Sequence, residues 1–405
     1  MFTSALVAFF IICAELTIVV RMHPREHKEE QEVIPQLHKC EESDISVLKN
    51  QQELKSKVMP LAQRTKRLNV IILTHMSSGS SFSGNIFNLH PDVFYLYEPL
   101  HDLRRVVYSD EWQPLDDLAN DEYRNHFASL LRDLFTCAFR EETTLPRIFP
   151  QFLRDPKRLA FMYWRVLRPE LTNEVVREAC TTRKITVAKI MQTRLPRKIG
   201  IQELERFCSS DPNQFECLII HLVRDPRAVL SSLLRRKFFI KDSRRYLFDS
   251  DKLSAQATEI IKQNAQLLCS QVVDNLNYVK EVWPKWFQGR YKLIRYEDIV
   301  TNAFNMMEDM YNFVGLPKVD SITKWILEGK ILVNTTGTQF SENDASRMDH
   351  WRFDEDPSIV SLFEEACAPL MKLMGYTSVY DSGLINNSKP LIAKEIPLLK
   401  ELSSN

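Results

Sequence analysis

Glycine is scarce in this 405-residue chain, at nine residues, about a third of the share usual in globular proteins. Gly79 and Gly84, so close together, therefore carry more weight than they would in a glycine-rich chain. Net charge is lacking too, because 53 basic residues balance 53 acidic ones. No global field recruits nucleic acid, which excludes it as an expected partner, and any anion binding must come from local clusters. The cysteines show no C-x-x-C spacing, which argues against a zinc site or a thioredoxin-like motif. No G-x-x-x-x-G-K-[ST] loop occurs, so ATP with magnesium is a poor fit. Repeats and low-complexity tracts are absent as well. What remains is a globular composition, 44% hydrophobic and 26% charged, long enough for one large domain or two ordinary ones.

The eight cysteines are Cys13, Cys40, Cys137, Cys180, Cys208, Cys217, Cys269 and Cys367. The last six fall in the main domain, an even number that suits disulfides in an oxidising compartment; buried free thiols are the alternative. Cys269 with Cys367 is the first pairing expected. The N-terminus favours the oxidising compartment. An apolar run from Ala5 to Val20, broken by Glu15, is followed by Arg21, His23 and Arg25. It lies near the short end of the roughly 17–25 residues a membrane span needs. It reads as an uncleaved signal-anchor or a cleaved signal peptide, and the downstream arginines argue against a cytoplasmic N-terminus. Asn334-Thr335-Thr336 and Asn386-Asn387-Ser388 are sequons that agree with secretory entry. From Met22 to Lys66 the chain is polar and charge-rich, with spaced Ile34, Leu37, Ile45, Leu48 and Leu54. This reads as a stem holding a domain away from a membrane, and its lone Cys40 is placed to link two chains into a homodimer.

Folded sequence starts at Leu68-Asn69-Val70-Ile71-Ile72-Leu73, a continuous apolar run of the kind found in buried parallel strands. Helical spacing follows at Phe82, Ile86, Phe87 and Leu89, ended by His90-Pro91-Asp92. Further strands are predicted at Val93–Tyr97, Ile185–Ile190, Cys217–Val223 and Tyr291–Tyr296. Between them, 112–182 reads as mostly helical, a helix starts near Pro226, and 252–282 is a long helical region. A helix from about Asn302 stops at Gly315-Leu316-Pro317, with glycine and proline in the order a C-terminus calls for. Strands alternating with helices predict an α/β fold with a parallel sheet covered on both faces.

In such sheets ligands sit at the carboxyl ends of the strands. There the sequence places "SSGSSF", Ser77 to Phe82. Backbone N–H groups of Gly79, Ser80 and Ser81 at a helix N-terminus would form a nest for a tetrahedral anion; an ordinary serine N-cap is the plainer reading. A second loop, "LVRDPRAVLSS", puts Arg224 and Asp225 after a strand, with Pro226 at the first helical position. Ser232 lies where a folded-back helix would bring it onto the same phosphate as Arg224. The basic run Arg235, Arg236, Lys237, Lys241, Arg244 and Arg245 extends that site or is a solvated face. Two anion loops on one sheet imply a ligand with two separated phosphate-like groups.

Taken with "HPDVFYLYEP", "YKLIRYEDIV", "YNFVGLP", "HWRF" and "LMGY", these loops resemble the Golgi carbohydrate 6-O-sulfotransferases, over about 68–378. The resemblance implies a three-layer, P-loop-like sulfotransferase fold and 3′-phosphoadenosine 5′-phosphosulfate (PAPS) as sulfuryl donor, without metal. It also implies a glycan or proteoglycan acceptor and a single-pass type II Golgi membrane protein with a lumenal catalytic domain. The divisions expected are an anchor at 1–21, a stem at 22–66, a sulfotransferase domain at 67–380 and a C-terminal tail at 381–405. By the resemblance, Ser78, Gly79, Ser80, Ser81 and Phe82 hold the 5′-phosphosulfate, while Arg224 and Ser232 hold the 3′-phosphate. Where the family has arginine, this chain has Ser77, which supplies no charge to the leaving oxygen. Glu98 is the candidate base, and a solvated strand-end glutamate is the alternative. Lys189, late in the third strand, is the candidate replacement cation, with His75 also near. Trp351 and Arg352 would cover the nucleotide or belong to core and surface. The expected activity is sulfuryl transfer to the 6-hydroxyl of a hexose. Its rivals are a binding protein without turnover and a nucleotide-dependent kinase, the latter disfavoured by the missing Walker lysine.

Overall fold

The computed structural model describes residues 66–100, 103, 121–139, 173–195, 200–238, 248–249, 252–320, 322–323, 326, 348–380 and 391–404. The anchor run, all of the stem except Lys66, and both sequons lie outside them. Among the described residues no helix is long and apolar enough to cross a membrane.

Five strands form one sheet: β1 (Arg67–Thr74), β2 (Val93–Tyr97), β3 (Ile185–Met191), β4 (Phe215–Val223) and β5 (Tyr291–Arg295). Their order is β2-β3-β1-β4-β5 and every pairing is parallel. β1 is central, with Leu68 opposite Ile185 on one side and Arg67 opposite Phe215 on the other. That is why its residues 70–73 are continuously apolar instead of alternating. The chain leaves β1 for β2 and β3 on one side, then for β4 and β5 on the other. The crevice between the carboxyl ends of β1 and β4 is thus the topological switch point, where open α/β sheets bind ligands.

The helices are α1 (Ser80–Asn88), α2 (Asp121–Phe135), α3 (Asn173–Thr181), α4 (Ile201–Ser210), α5 (Pro226–Arg235), α6 (Ala255–Val282), α7 (Tyr296–Thr301), α8 (Ala303–Val314), α9 (Trp351–Asp354), α10 (Pro357–Met374) and α11 (Pro397–Ser404). On one face of the sheet Leu68, Val70 and Ile72 pack with Ile86 and Phe87 of α1 and Met307, Met310 and Val314 of α8. On the other, Ile71 and Leu73 pack with Phe127, Leu204, Leu276 and Phe363 of α2, α4, α6 and α10. The result is a mixed α/β fold of three layers around a parallel sheet, as the sequence pattern predicts. Gly84 lets α1 lie directly on β2, since a Cβ there would fall 2.0 Å from the Tyr95 hydroxyl oxygen. Gly315, with φ of 81°, caps α8, its N–H donating to the Tyr311 carbonyl at 2.8 Å.

Most boundaries differ from the predicted ones by three residues or fewer, and two differences matter for the site and the core. β5 ends at Arg295, so Tyr296 opens α7 instead of closing the strand. Of the stretch read as a C-terminal tail, 391–404 folds against the domain: Ile392 bridges to Tyr376, and Leu398 and Leu402 are buried in the core. All six domain cysteines are paired, as Cys137–Cys180, Cys208–Cys217 and Cys269–Cys367. The last closes the longest loop, 98 residues apart. Replacing Cys269 and Cys367 together by serine is expected to cost about 2–5 kcal/mol. Thermal unfolding without reductant would show the loss, and peptide mapping should recover all three pairs from the native protein.

Candidate active site

Between β1 and α1 the chain makes a tight left-handed turn, with φ of 62° at Ser77 and 77° at Gly79. Such angles are uncommon for a non-glycine residue, and they turn successive N–H groups toward one point. The N-cap of α1 is Gly79 and no side chain caps the helix, so the plainer reading of a serine N-cap does not hold. The first-turn N–H groups of Ser80 and Ser81 therefore have no acceptor within the helix. No other residue fits at Gly79, because a Cβ would fall 2.0 Å from the Tyr296 ring. Ser78 differs from its neighbours. Its hydroxyl lies 2.5 Å from Thr74 Oγ1 and donates to the His75 carbonyl, tying the loop to itself. Phe82 is half-buried against the α1-side core.

The second loop reaches the same place from β4. Asp225 caps α5 by accepting from the Arg227 N–H at 2.9 Å, with Pro226 in the first turn. Arg224 Nη1 donates to the Ser77 carbonyl at 2.8 Å, and Ser232 Oγ donates to Ser77 Oγ at 3.0 Å. The two predicted 3′-phosphate residues thus converge, and they converge on Ser77. Arg224 also stacks over Tyr296, 4.5 Å from the ring centroid. Its Nε is buried with no hydrogen-bond partner among the described residues.

Behind this loop lies a layer that sequence reading missed. Glu297 Oε1 accepts the Asp225 N–H and Glu297 Oε2 accepts the Tyr376 hydroxyl, both at 2.9 Å. Burial, aided by the charge of Asp225, pushes the Glu297 carboxyl up to about 7. Arg227 is fully buried, bonded to Asp225 at 2.7 Å and to Glu364 at 2.5 Å, with the Trp351 ring 4.4 Å away. Trp351 is core packing in this structure, and Arg352 bonds to Asp349 at 3.1 Å. The available signal was "RYED", charged residues directly after a buried strand at its carboxyl edge.

Glu98 follows β2 with φ of 48°, and Lys189 Nζ lies 2.9 Å from Glu98 Oε1. Lys189 is level with Ile72 and Tyr97 in the sheet register. Its ammonium sits 3.7 Å from the Tyr97 ring centroid. It shares the α1 face with Ile185 and Val187 by strand alternation. His75 offers no charge, since burial pushes its imidazole down to about 4. Arg235, Arg236 and Lys237 are exposed, and Arg235 pairs with Asp354 at 3.2 Å. Lys241, Arg244 and Arg245 lie outside the described residues.

The fold and site define an α/β protein with a parallel sheet whose two strand–turn–helix loops, after β1 and β4, meet at its switch point. Residues 67–375 match the sulfotransferase domain family, and the chain belongs to it. Curated relatives are carbohydrate sulfotransferases. Human carbohydrate sulfotransferase 3 is 26% identical over 358 residues, covering 81% of this chain and 71% of that protein. Human carbohydrate sulfotransferase 1 is 26% identical over 363 residues, covering 82% and 84%. Mouse carbohydrate sulfotransferase 4 is 27% identical over 350 residues, covering 77% and 82%. Among solved structures, the chain is similar in outline to the sulfotransferase domain from the curacin biosynthetic pathway, with TM-score 0.38, 16% identity and coverage of 77% and 98%. It is similar also to a mouse sulfotransferase complexed with PAP, with TM-score 0.35, 11% identity and coverage of 83% and 96%.

Proposed function

We propose that the chain moves a sulfuryl group from PAPS to the 6-hydroxyl of a galactose, N-acetylgalactosamine or N-acetylglucosamine in a glycan or proteoglycan. The observation that carries this reading is the convergence of Arg224 and Ser232 on Ser77, which joins two anion-holding loops into one site. The N–H groups of Gly79, Ser80 and Ser81 hold the 5′-phosphosulfate, with Ser77 and Ser78 shaping the turn and Phe82 anchoring it. Arg224 and Ser232 exchange their bonds to Ser77 for bonds to the 3′-phosphate. The acceptor oxygen attacks sulfur in line, its proton passes to Glu98, and the bridging S–O bond breaks toward adenosine 3′,5′-bisphosphate. No metal is needed, because a sulfate ester carries less charge than a phosphate. As Glu98 gains the proton it loses its charge. The Lys189 ammonium is then freed to meet the charge developing on the leaving group.

The protein is read as a single-pass type II Golgi membrane protein with a lumenal domain. Three disulfides joining all six domain cysteines support an oxidising compartment. Cys40 in the stem would link a homodimer. A second reading, a sulfotransferase-like protein that binds nucleotide or sulfated glycan without turnover, is favoured by one observation. Ser77 brings no cation, and Lys189 is already paired with Glu98.

Purified protein given labelled PAPS and a panel of galactose, N-acetylgalactosamine and N-acetylglucosamine glycans separates the two. Label transferred to one sugar sets the acceptor; donor binding with no transfer to any supports the second reading. Arg224→Ala should remove a charge-assisted contact worth roughly 1.5–3 kcal/mol, about ten- to a hundredfold in affinity for adenosine 3′,5′-bisphosphate by calorimetry. Ser232→Ala should cost less. If both bind like wild type, the second loop does not hold the 3′-phosphate.

A further inference from the structure

We propose that Glu297 is a positioning residue for Arg224, fixing the loop after β4 so that the guanidinium faces the anion cradle. The inference rests on the reading of Arg224 as a phosphate ligand. Two adjacent residues at the start of α7 grip the second loop. The Tyr296 ring lies under the guanidinium at 4.5 Å. Glu297 Oε1 accepts the N–H of Asp225, the peptide directly following Arg224, at 2.9 Å. The Asp225 side chain is turned instead to Arg227, whose N–H and Nε donate to Oδ1 and whose Nη2 donates to Oδ2. Glu297 Oε2 accepts the Tyr376 hydroxyl, just past the Gly375 cap of α10. The carboxylate thus couples the donor loop to the C-terminal part of the domain.

A carboxylate is a costly choice at such a site. It is buried beside Asp225, and leaving the Asp225 N–H unpaired would cost as well. The groups facing it are Asp225 and Arg224 on the β4 loop and Tyr376 after α10. Arg295 and Asp298, on its own segment, pair with each other at 2.8 Å, and Arg227 is engaged by Asp225 and Glu364. The first two act on its charge in opposite directions, with burial outweighing Arg224. When Glu297 is protonated, its proton must sit on the oxygen facing Tyr376, whose hydroxyl can turn to accept. The Asp225 N–H cannot. Both hydrogen bonds survive protonation, and one negative charge near the bound anion disappears.

The test is calorimetric binding of adenosine 3′,5′-bisphosphate to the full chain, with wild type, Glu297→Ala, Glu297→Gln, Arg224→Ala and the Glu297→Ala/Arg224→Ala pair. Glu297→Ala should weaken binding about tenfold while near- and far-ultraviolet dichroism stay native. Glu297→Gln should bind within about threefold of wild type, since its amide can accept from Asp225 and donate to Tyr376. Wild type should lose affinity relative to Glu297→Gln as pH rises from about 6 to about 8, because only the carboxyl gains charge there. Adding Glu297→Ala to Arg224→Ala should cost less than about twofold more. An equal loss on both backgrounds would mean a structural role and overturn the proposal, as would wild-type binding by Glu297→Ala beside a weakened Arg224→Ala. If Arg224→Ala itself binds like wild type, the phosphate assignment falls first and this proposal with it. Should Glu297→Ala fail to fold, identical pH dependence in wild type and Glu297→Gln is the overturning result.

Discussion

Glu98→Gln is expected to lower turnover by about 10²–10⁴-fold while leaving donor binding nearly intact. Glutamine keeps the size and hydrogen bonding of glutamate but cannot take the acceptor proton. The backbone supports a placed residue over a merely solvated one: Glu98 sits at φ of 48°, a conformation that costs a non-glycine side chain. Its partner Lys189 is almost fully buried, at 2% side-chain exposure, so the pair is not an ordinary surface ion pair. The variant also leaves that ammonium without its counter-charge, and breaking a buried pair costs about 3–5 kcal/mol when one partner is removed. Thermal unfolding must therefore accompany the rate. A stable Glu98→Gln protein that turns over within a few-fold of wild type would remove Glu98 from the mechanism.

What the sequence disclosed and what it hid divide along a physical line. The five strands were legible because each is almost wholly buried and its sequence is short and rich in apolar and β-branched residues, with few polar interruptions. The stop of α8 was legible because glycine is suited to the left-handed cap and the following proline cannot continue a helix. The two candidate loops were visible as strand–turn–helix junctions. That they meet at Ser77 was not, because the meeting depends on β1 and β4 being neighbours, and strand order is a property of the assembled sheet. The same holds for the Lys189–Glu98 pair, which needs β3 beside β2. Tyr296 reads as a strand residue in the sequence, because aromatic residues favour strands. Its ring instead fills the space that Gly79 leaves open and carries Arg224. Glu297 was overlooked because a carboxyl after a strand is usually solvated, and only the fold reveals that it is buried with two donors facing it. Of the disulfides, Cys269–Cys367 matched the first expectation; the other two needed the packing of α2 on α3 and of α4 on β4.

The remaining large effect concerns the charge at Ser77. A preorganised cation at a leaving oxygen is worth about 3–4 kcal/mol, or 10²–10³ in rate, and the loop itself has none. His75 is neutral, because burial holds its imidazole near 4. Arg224 is beside the loop but is committed to the 3′-phosphate in the reading above. Lys189 remains, on the α1 face and paired with Glu98. If its ammonium serves the leaving group once Glu98 is protonated, Lys189→Ala should cost at least that 10²–10³, and Ser77→Arg should gain little. Arginine at 77 would even give up the Ser232–Ser77 bond at 3.0 Å. If Lys189 only neutralises Glu98, wild type should bind PAPS and turn over very slowly, and Ser77→Arg should raise the rate by a comparable factor. The two variants, assayed beside calorimetric donor binding, therefore give opposite patterns for the two readings. An active wild type indifferent to both substitutions would show that this loop does not hold the leaving group, and the phosphosulfate would have to lie elsewhere along the carboxyl edge of the sheet.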